Sequence, residues 1–172
     1  MRIYRSQVPR IAQDIIQNLR QQQDLELADE NVAEAEKDIA AILELYLKND
    51  YRILEEAKDI VERRGLTHGD LGKVKRELFE KYQHPSGDEA VRWLTGQICE
   101  CFMASRFIDE VFTDDQILKR KVLELLRKHI IDDSVLDREV RERLKNLQEG
   151  TNAWTIQYQK TMREIRRKHG LS

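Results

Sequence analysis

Apolar residues recur along this chain at spacings of three and four, and polar turns interrupt them at intervals. This spacing marks one face of a helix. Val8, Ile11, Ile15 and Leu19 form the first stripe, with Ser6 as its expected N-cap and Pro9 in its first turn, where a missing N–H does little harm. It dissolves in Gln21-Gln22-Gln23. Asp29 opens a second stripe through Val32, Ala35, Ile39, Ile42, Leu43, Tyr46 and Leu47, which Lys48-Asn49-Asp50 is expected to break or bend. Ile53, Ala57, Ile60 and Val61 then lead to Gly65, a residue type suited to closing a helix. Thr67 caps a fourth segment bearing Leu71, Val74, Leu78 and Tyr82.

Gln83-His84-Pro85-Ser86-Gly87 is the strongest punctuation in the chain, and after it the plan restarts. Ser86 or Asp88 precedes Val91, Leu94, Ile98 and Phe102. Thr113-Asp114-Asp115 precedes Ile117, Val122, Leu125, Leu126 and Ile130. Asp132-Asp133-Ser134 precedes Val135, Leu136, Val140, Leu144 and Leu147, and Thr151 caps a last segment through Trp154, Tyr158, Met162 and Ile165 to Gly170. No stretch alternates with period two over a useful length. The pattern predicts eight helical segments and an all-α protein.

Sliding the chain on itself by 83 residues lays Ile11, Ile15 and Leu19 over Leu94, Ile98 and Phe102, and Ile39 and Leu43 over Val122 and Leu126. Two helical repeats are therefore expected, residues 1–84 and 85–172, forming one cooperative unit. Related halves facing each other about a pseudo-twofold axis would share a four-helix base. Leu43 and Leu126 are expected to lie buried where they meet. The later helices of each copy, narrower in stripe and heavier in charge, are expected to project as arms.

Composition sharpens this picture. Of 172 residues, 40% are hydrophobic and 36% charged, with only 7 Gly and 2 Pro; ordinary globular chains carry roughly 25% charged residues. Many charges and few breakers describe helices with long solvated faces. No apolar run approaches the roughly 18 residues of a membrane span, and the first residues lack the apolar stretch of a signal peptide. A cytoplasmic protein with no membrane contact is expected. The net charge of -2 divides into +6 between Lys119 and Lys168 and -8 elsewhere, a polarity that could steer an acidic partner.

Reactive constellations are sparse. The two cysteines, Cys99 and Cys101, are spaced C-x-C on a predicted helix and point to different faces, and the four histidines lie at no metal-ligand spacing. Gly69 and Gly72 beside Lys73 and Lys75 make the closest approach to an anion-holding helix start, but a capped turn entering a basic helix explains them. Asp29, Asp114, Asp50 and Asp133 fall where helices are expected to begin, which capping explains. No catalytic residue, cofactor or metal is assigned. The best interaction surface is the last segment, where Trp154 and Tyr158 interleave with Lys160, Arg163, Arg166 and Arg167. Such a stripe can stack on bases and pair with phosphates, and the same spacing is ordinary packing.

Several stretches resemble the bacterial family catalogued as domain of unknown function 507, in its longer, duplicated form. They are Met1-Arg-Ile-Tyr with Val8-Pro-Arg-Ile-Ala, Glu44-Leu-Tyr-Leu, Arg64-Gly-Leu with Leu71-Gly-Lys-Val-Lys, and Tyr158-Gln-Lys through Arg166-Arg-Lys-His-Gly. Lys145-Asn-Leu-Gln-Glu-Gly-Thr with Trp154 is the most specific. The resemblance implies a four-helix base with two helical arms in a Y shape, and it supplies no activity or site residue. The functional expectation is a non-enzymatic helical module that binds protein. The alternatives are RNA or DNA binding through the basic last helix, and a small-ligand site in the crevice between the copies.

Overall fold

A computed structural model describes residues 2–171; Met1, which opens the N-terminal signature, and Ser172 lie outside the described residues. The chain is all-α. Its helices are α1 (Val8–Gln21), α2 (Val32–Arg63), α3 (Leu71–Lys81), α4 (Gly87–Ala104), α5 (Asp115–His129), α6 (Asp133–Arg143) and α7 (Asn152–Lys168). Two short strands, β1 (Leu25–Glu26) and β2 (Glu110–Val111), pair antiparallel. They are too short to leave a period-two signal.

Single 3-10 turns at Arg5–Gln7, Asp29–Asn31 and His68–Asp70 precede α1, α2 and α3 and shift their starts past the expected caps. Ser6 does not cap α1; its hydroxyl donates to the Gly170 carbonyl at 3.3 Å. Asp29 instead accepts from Arg20 at 2.6 Å. Asp114, Asp132 and Thr151 do cap, each accepting a backbone N–H from the first turn of α5, α6 or α7; Asp133, expected as a cap, is instead the first residue of α6 and accepts from the Tyr4 hydroxyl.

The largest departure from the sequence pattern is in α2, which runs unbroken through Lys48-Asn49-Asp50. Polar residues of this kind cost a helix interior only tenths of a kcal/mol each, far less than proline, and the buried stripe Ile39, Leu43, Ile53, Ala57 continues across them. Asp50 is therefore a mid-helix residue, not a cap. In the second half the corresponding break is real: Ile130 is extended, and Asp132 accepts from Ser134 N–H at 2.9 Å to restart the chain as α6.

Buried residues fall into three clusters. The central one joins α1, α4, α5 and the first half of α2, with Ile11, Ile15, Leu43, Leu94, Ile98 and Leu126 among its members. Here α1 packs on α2 and α5, and α4 packs on α5 and α2. Leu43 is 1% exposed and Leu126 is fully buried. A second cluster binds α6 to α7 and includes Tyr4 and Leu171 from near the chain ends. The third holds α3 against the distal half of α2 through Ile53, Ala57, Val74 and Leu78. Ile117, Val135, Leu147 and Tyr82, read as stripe residues, are exposed; all lie in a first turn or beyond a helix end, where the stripe has outrun its partner.

Two helix closures carry no glycine signal. Gln23 and Gln83 adopt φ of 60° and 50°, and the residue after each donates back into the helix, Asp24 N–H to Leu19 and His84 N–H to Phe79. This is the bonding that usually ends in glycine. The first closure drops Asp24 into the protein at 6% exposure. Both its carboxylate oxygens accept from Lys121 Nζ, at 2.9 and 2.7 Å, and one also accepts from Thr113 Oγ1. Burial would raise its pKa; the hydrogen bonds from Lys121 and Thr113 and the Lys121 charge outweigh that and hold the carboxyl below its usual range.

The second closure seats His84 where α2, α3 and α4 meet. Its ring stacks on Tyr46 at 4.7 Å and tilts against Phe79 at 5.3 Å, and Tyr46 in turn donates to the Pro85 carbonyl. The side chain is 8% exposed, and Nε2 stands 3.6 Å from Asp50, beyond hydrogen-bond reach. Burial dominates and lowers its pKa; Asp50 pulls the other way, and Lys75 and Arg52 add to the lowering. The fold thus favours the neutral ring. As pH falls through about 6.5 the unfolded chain takes up the proton first, so stability drops there and levels off below the folded pKa. His84→Phe is expected to remove this decline in urea unfolding measured between about pH 7 and 5. Parallel curves for the two proteins would contradict it.

Candidate interaction surface

The surface read from sequence lies on α7, and its geometry begins one loop earlier. Glu149 accepts from Arg141 at 2.6 Å, Gly150 turns the chain at φ 87°, and Thr151 Oγ1 accepts the Trp154 N–H. Glu149-Gly150-Thr151 thus sets where α7 begins and holds the backbone of Trp154. The Trp154 ring stacks on Tyr158 at 5.0 Å and lies under the Arg141 guanidinium at 5.5 Å. Tyr158 donates to Asp137 at 2.5 Å, and Arg141 donates to the same carboxylate at 2.8 Å. Burial, then Asp137, pushes the Tyr158 phenol up to about 12. The Tyr158 and Arg141 hydrogen bonds outweigh the effect of burial and lower the Asp137 carboxyl.

These contacts divide the six sequence-predicted residues. Trp154, Tyr158 and Arg166 are half-buried and face the α6 side. Arg166 lies over the Tyr4 ring at 5.6 Å, and its Nε is buried without a partner. Tyr4 also donates to Asp133 at 2.8 Å, so the N-terminal signature is part of the seat of α7. Lys160, Arg163 and Arg167 are exposed, and among the described residues none of them forms an ion pair. Lys168, by contrast, is engaged by Glu139, which also meets Arg143 and His169.

One residue of this surface escaped the sequence reading. Ile156 is 64% exposed and stands with Lys160, Arg163 and Arg167 at i, i+4, i+7 and i+11, the spacing of a single helix face. It broke no pattern, because Trp154 and Tyr158 already supplied the buried stripe.

Elsewhere the chemistry is that of packing. Cys99 is buried, and burial pushes its thiol up to about 11; Cys101 is half-buried and raised for the same reason. The turn at Gly69 is filled by Asp70, which accepts from Thr67 N–H and Oγ1 at 2.9 and 2.8 Å. A carboxylate thus already occupies that helix start. Among the described residues, no group of His, Cys, Asp and Glu is placed to hold a metal, and no helix is long and apolar enough to cross a membrane.

The fold and this surface define an all-helical protein whose last helix buries its aromatic side and offers the opposite, basic one to solvent. The chain belongs to the family described as protein of unknown function DUF507, whose profile matches residues 1–171. No curated protein matches it.

The division of α7 has a measurable consequence. Trp154→Ala is expected to cost about 2–3 kcal/mol of stability, below the roughly 3–5 kcal/mol of fully buried aromatic truncations because the ring is half-buried. Lys160→Ala, Arg163→Ala and Arg167→Ala should each stay within about 0.5 kcal/mol. Chemical denaturation of the four variants reads both, and comparable losses throughout would mean that the outer face is also packed.

Proposed function

We propose that the protein is a helical interaction module, built from two related halves, that docks an acidic partner protein through the outer face of α7. The recurrence of element boundaries supports the two halves: α1 ends at Gln21 and α4 at Ala104, while α2 starts at Val32 and α5 at Asp115, the same 83-residue step in both cases. The observation that carries the docking reading is the outer face itself, an exposed isoleucine set among three exposed cations that form no ion pair among the described residues. An apolar anchor with a charged surround is the arrangement of a protein-binding surface.

Nucleic acid fits this face less well. Sequence-tolerant binding to single strands uses aromatic rings as stacking platforms, and here both rings are committed, Trp154 between Arg141 and Tyr158, and Tyr158 to Asp137. What remains is cations alone, whose hold on phosphates weakens steeply with salt.

The test is binding to a single-stranded RNA by fluorescence anisotropy, beside affinity capture from lysate with and without nuclease. The reading expects RNA affinity no tighter than about micromolar at physiological salt. It also expects nuclease-resistant protein capture that is lost in a Lys160→Glu/Arg163→Glu/Arg167→Glu variant and weakened by Ile156→Asp. Nanomolar RNA binding abolished by the same charge reversal would replace it.

A further inference from the structure

The two strands present a second exposed face, opposite in charge to that of α7. Leu25 and Val111 pair across the ribbon and turn inward, buried and half-buried against the central cluster. Glu26 and Glu110 are the next pair, directly opposite each other, and both are exposed. The Phe112 N–H donates to the Asp24 carbonyl at 2.9 Å, which extends the ladder one residue beyond β2. Strand alternation then sets Phe112 on the outward face with Glu110, where it is 62% exposed.

Like charges directly opposite each other in an antiparallel pair are destabilising, and this pair is left without relief. Among the described residues neither glutamate forms an ion pair. Cations beside the ribbon are committed elsewhere: Lys121 to Asp24, Arg20 to Asp29, and Arg106 over the Phe107 ring. A cationic surface carrying an apolar residue would relieve the repulsion and cover Phe112 in one contact.

The outer face of α7 carries that complementary set at matching intervals. Phe112 and Glu110 are two strand residues apart, about 7 Å, and Ile156 and Lys160 are four helical residues apart, about 6 Å. Glu26 and Glu110 stand about 5 Å apart across the ribbon. Lys160 and Arg163, three residues apart on one helix face, stand about 5–6 Å apart. Phe112 can therefore rest on Ile156 while the two carboxylates meet Lys160 and Arg163, with Arg167 one turn further along at the rim. Taking the docking reading of α7 as the base, we infer that its acidic partner is the β1–β2 face of a second copy of this chain. The contact joins two different patches, and every copy offers both. It therefore either closes into a pair or ring or continues from copy to copy.

Sedimentation velocity on the full chain tests this. At low ionic strength the weight-average mass should climb to at least about 1.5 times the monomer value at about 0.5 mM protein, which corresponds to a Kd of about 0.5 mM or tighter. The climb should be lost in about 0.5 M salt, where exposed charges are screened. Glu26→Lys/Glu110→Lys and Lys160→Glu/Arg163→Glu/Arg167→Glu should each stay monomeric alone. An equimolar mixture of the two should associate again, because each reversed face then meets its opposite. Glu26→Gln/Glu110→Gln removes the repulsion within the ribbon, so it should weaken association with no loss of stability in urea. A parent that stays monomeric overturns the second-copy assignment alone, and α7 capturing a different protein from lysate would then leave the docking reading standing. A mixture that fails to associate, while both variants keep the parent's helicity by circular dichroism, also overturns the assignment. Association that survives reversal of the α7 charges overturns it as well.

Discussion

Asp24 is a carboxylate buried at the corner where α1 ends and β1 begins, and everything that makes its burial tolerable comes from the other half of the chain. Lys121 on α5 reaches both of its oxygens, and Thr113, just before α5, reaches one. Its own backbone carbonyl accepts from Phe112 N–H at 2.9 Å, continuing the β1–β2 pairing. A carboxylate taken out of water is costly unless it is paired and hydrogen-bonded, so the corner favours α5 docked in this register, with Lys121 itself partly exposed. The Asp24 contribution is present above the unfolded carboxylate value of about 3.9 and is lost as pH falls through the lower folded value. Apolar packing brings α1, α2, α4 and α5 together, and this contact fixes how they are set.

The outer parts of the molecule follow from that setting. With α5 held, its end at His129 lies against α1, where His129 meets Asp14 and its carbonyl accepts from Gln7. The N-terminal segment then crosses to pair Arg2 with Ile131 and to place Tyr4 under Arg166. Helices α6 and α7 are thereby seated on a cluster of their own, with the aromatic side of α7 turned inward. The distal half of α2 with α3 rests on a separate cluster, joined to α4 through the Tyr46, His84 and Trp93 rings.

Much of this was legible in the sequence because it rests on local spacing. The helical stripes, the caps at Asp114 and Thr151 and the closure at Gly65 follow from patterns within one element, and the burial of Leu43 and Leu126 from the 83-residue recurrence of the stripes; the pattern puts the α6 cap one residue late, at Asp133 rather than Asp132. What was not legible depended on contacts between elements. Lys48-Asn49-Asp50 reads as a break because its residues favour turns, yet packing on both sides carries α2 through them. Gln23 and Gln83 give no sign of a left-handed conformation, and the tertiary contacts of Asp24 and His84 impose it. On α7 the spacing alone set Trp154 and Tyr158 on the apolar stripe with Met162 and Ile165 and set Lys160, Arg163 and Arg167 on a basic stripe; what it did not give is that Arg166 turns to the inner side, where it lies over the Tyr4 ring. Ile156 became visible only once the other side was filled.

The Asp24–Lys121 ion pair, buried on its acidic side, holds the first half of the chain to the second, and a double-mutant cycle tests this most directly. Unfolding free energies of Asp24→Asn, Lys121→Met and the double variant, measured in urea near neutral pH, give the coupling between the two positions. A locked pair predicts that each single change costs more than the double change explains by addition, with a coupling above about 1 kcal/mol. Additivity within about 0.3 kcal/mol would mean that apolar packing alone sets the halves, and that Asp24 and Lys121 are neighbours without a structural hold on each other.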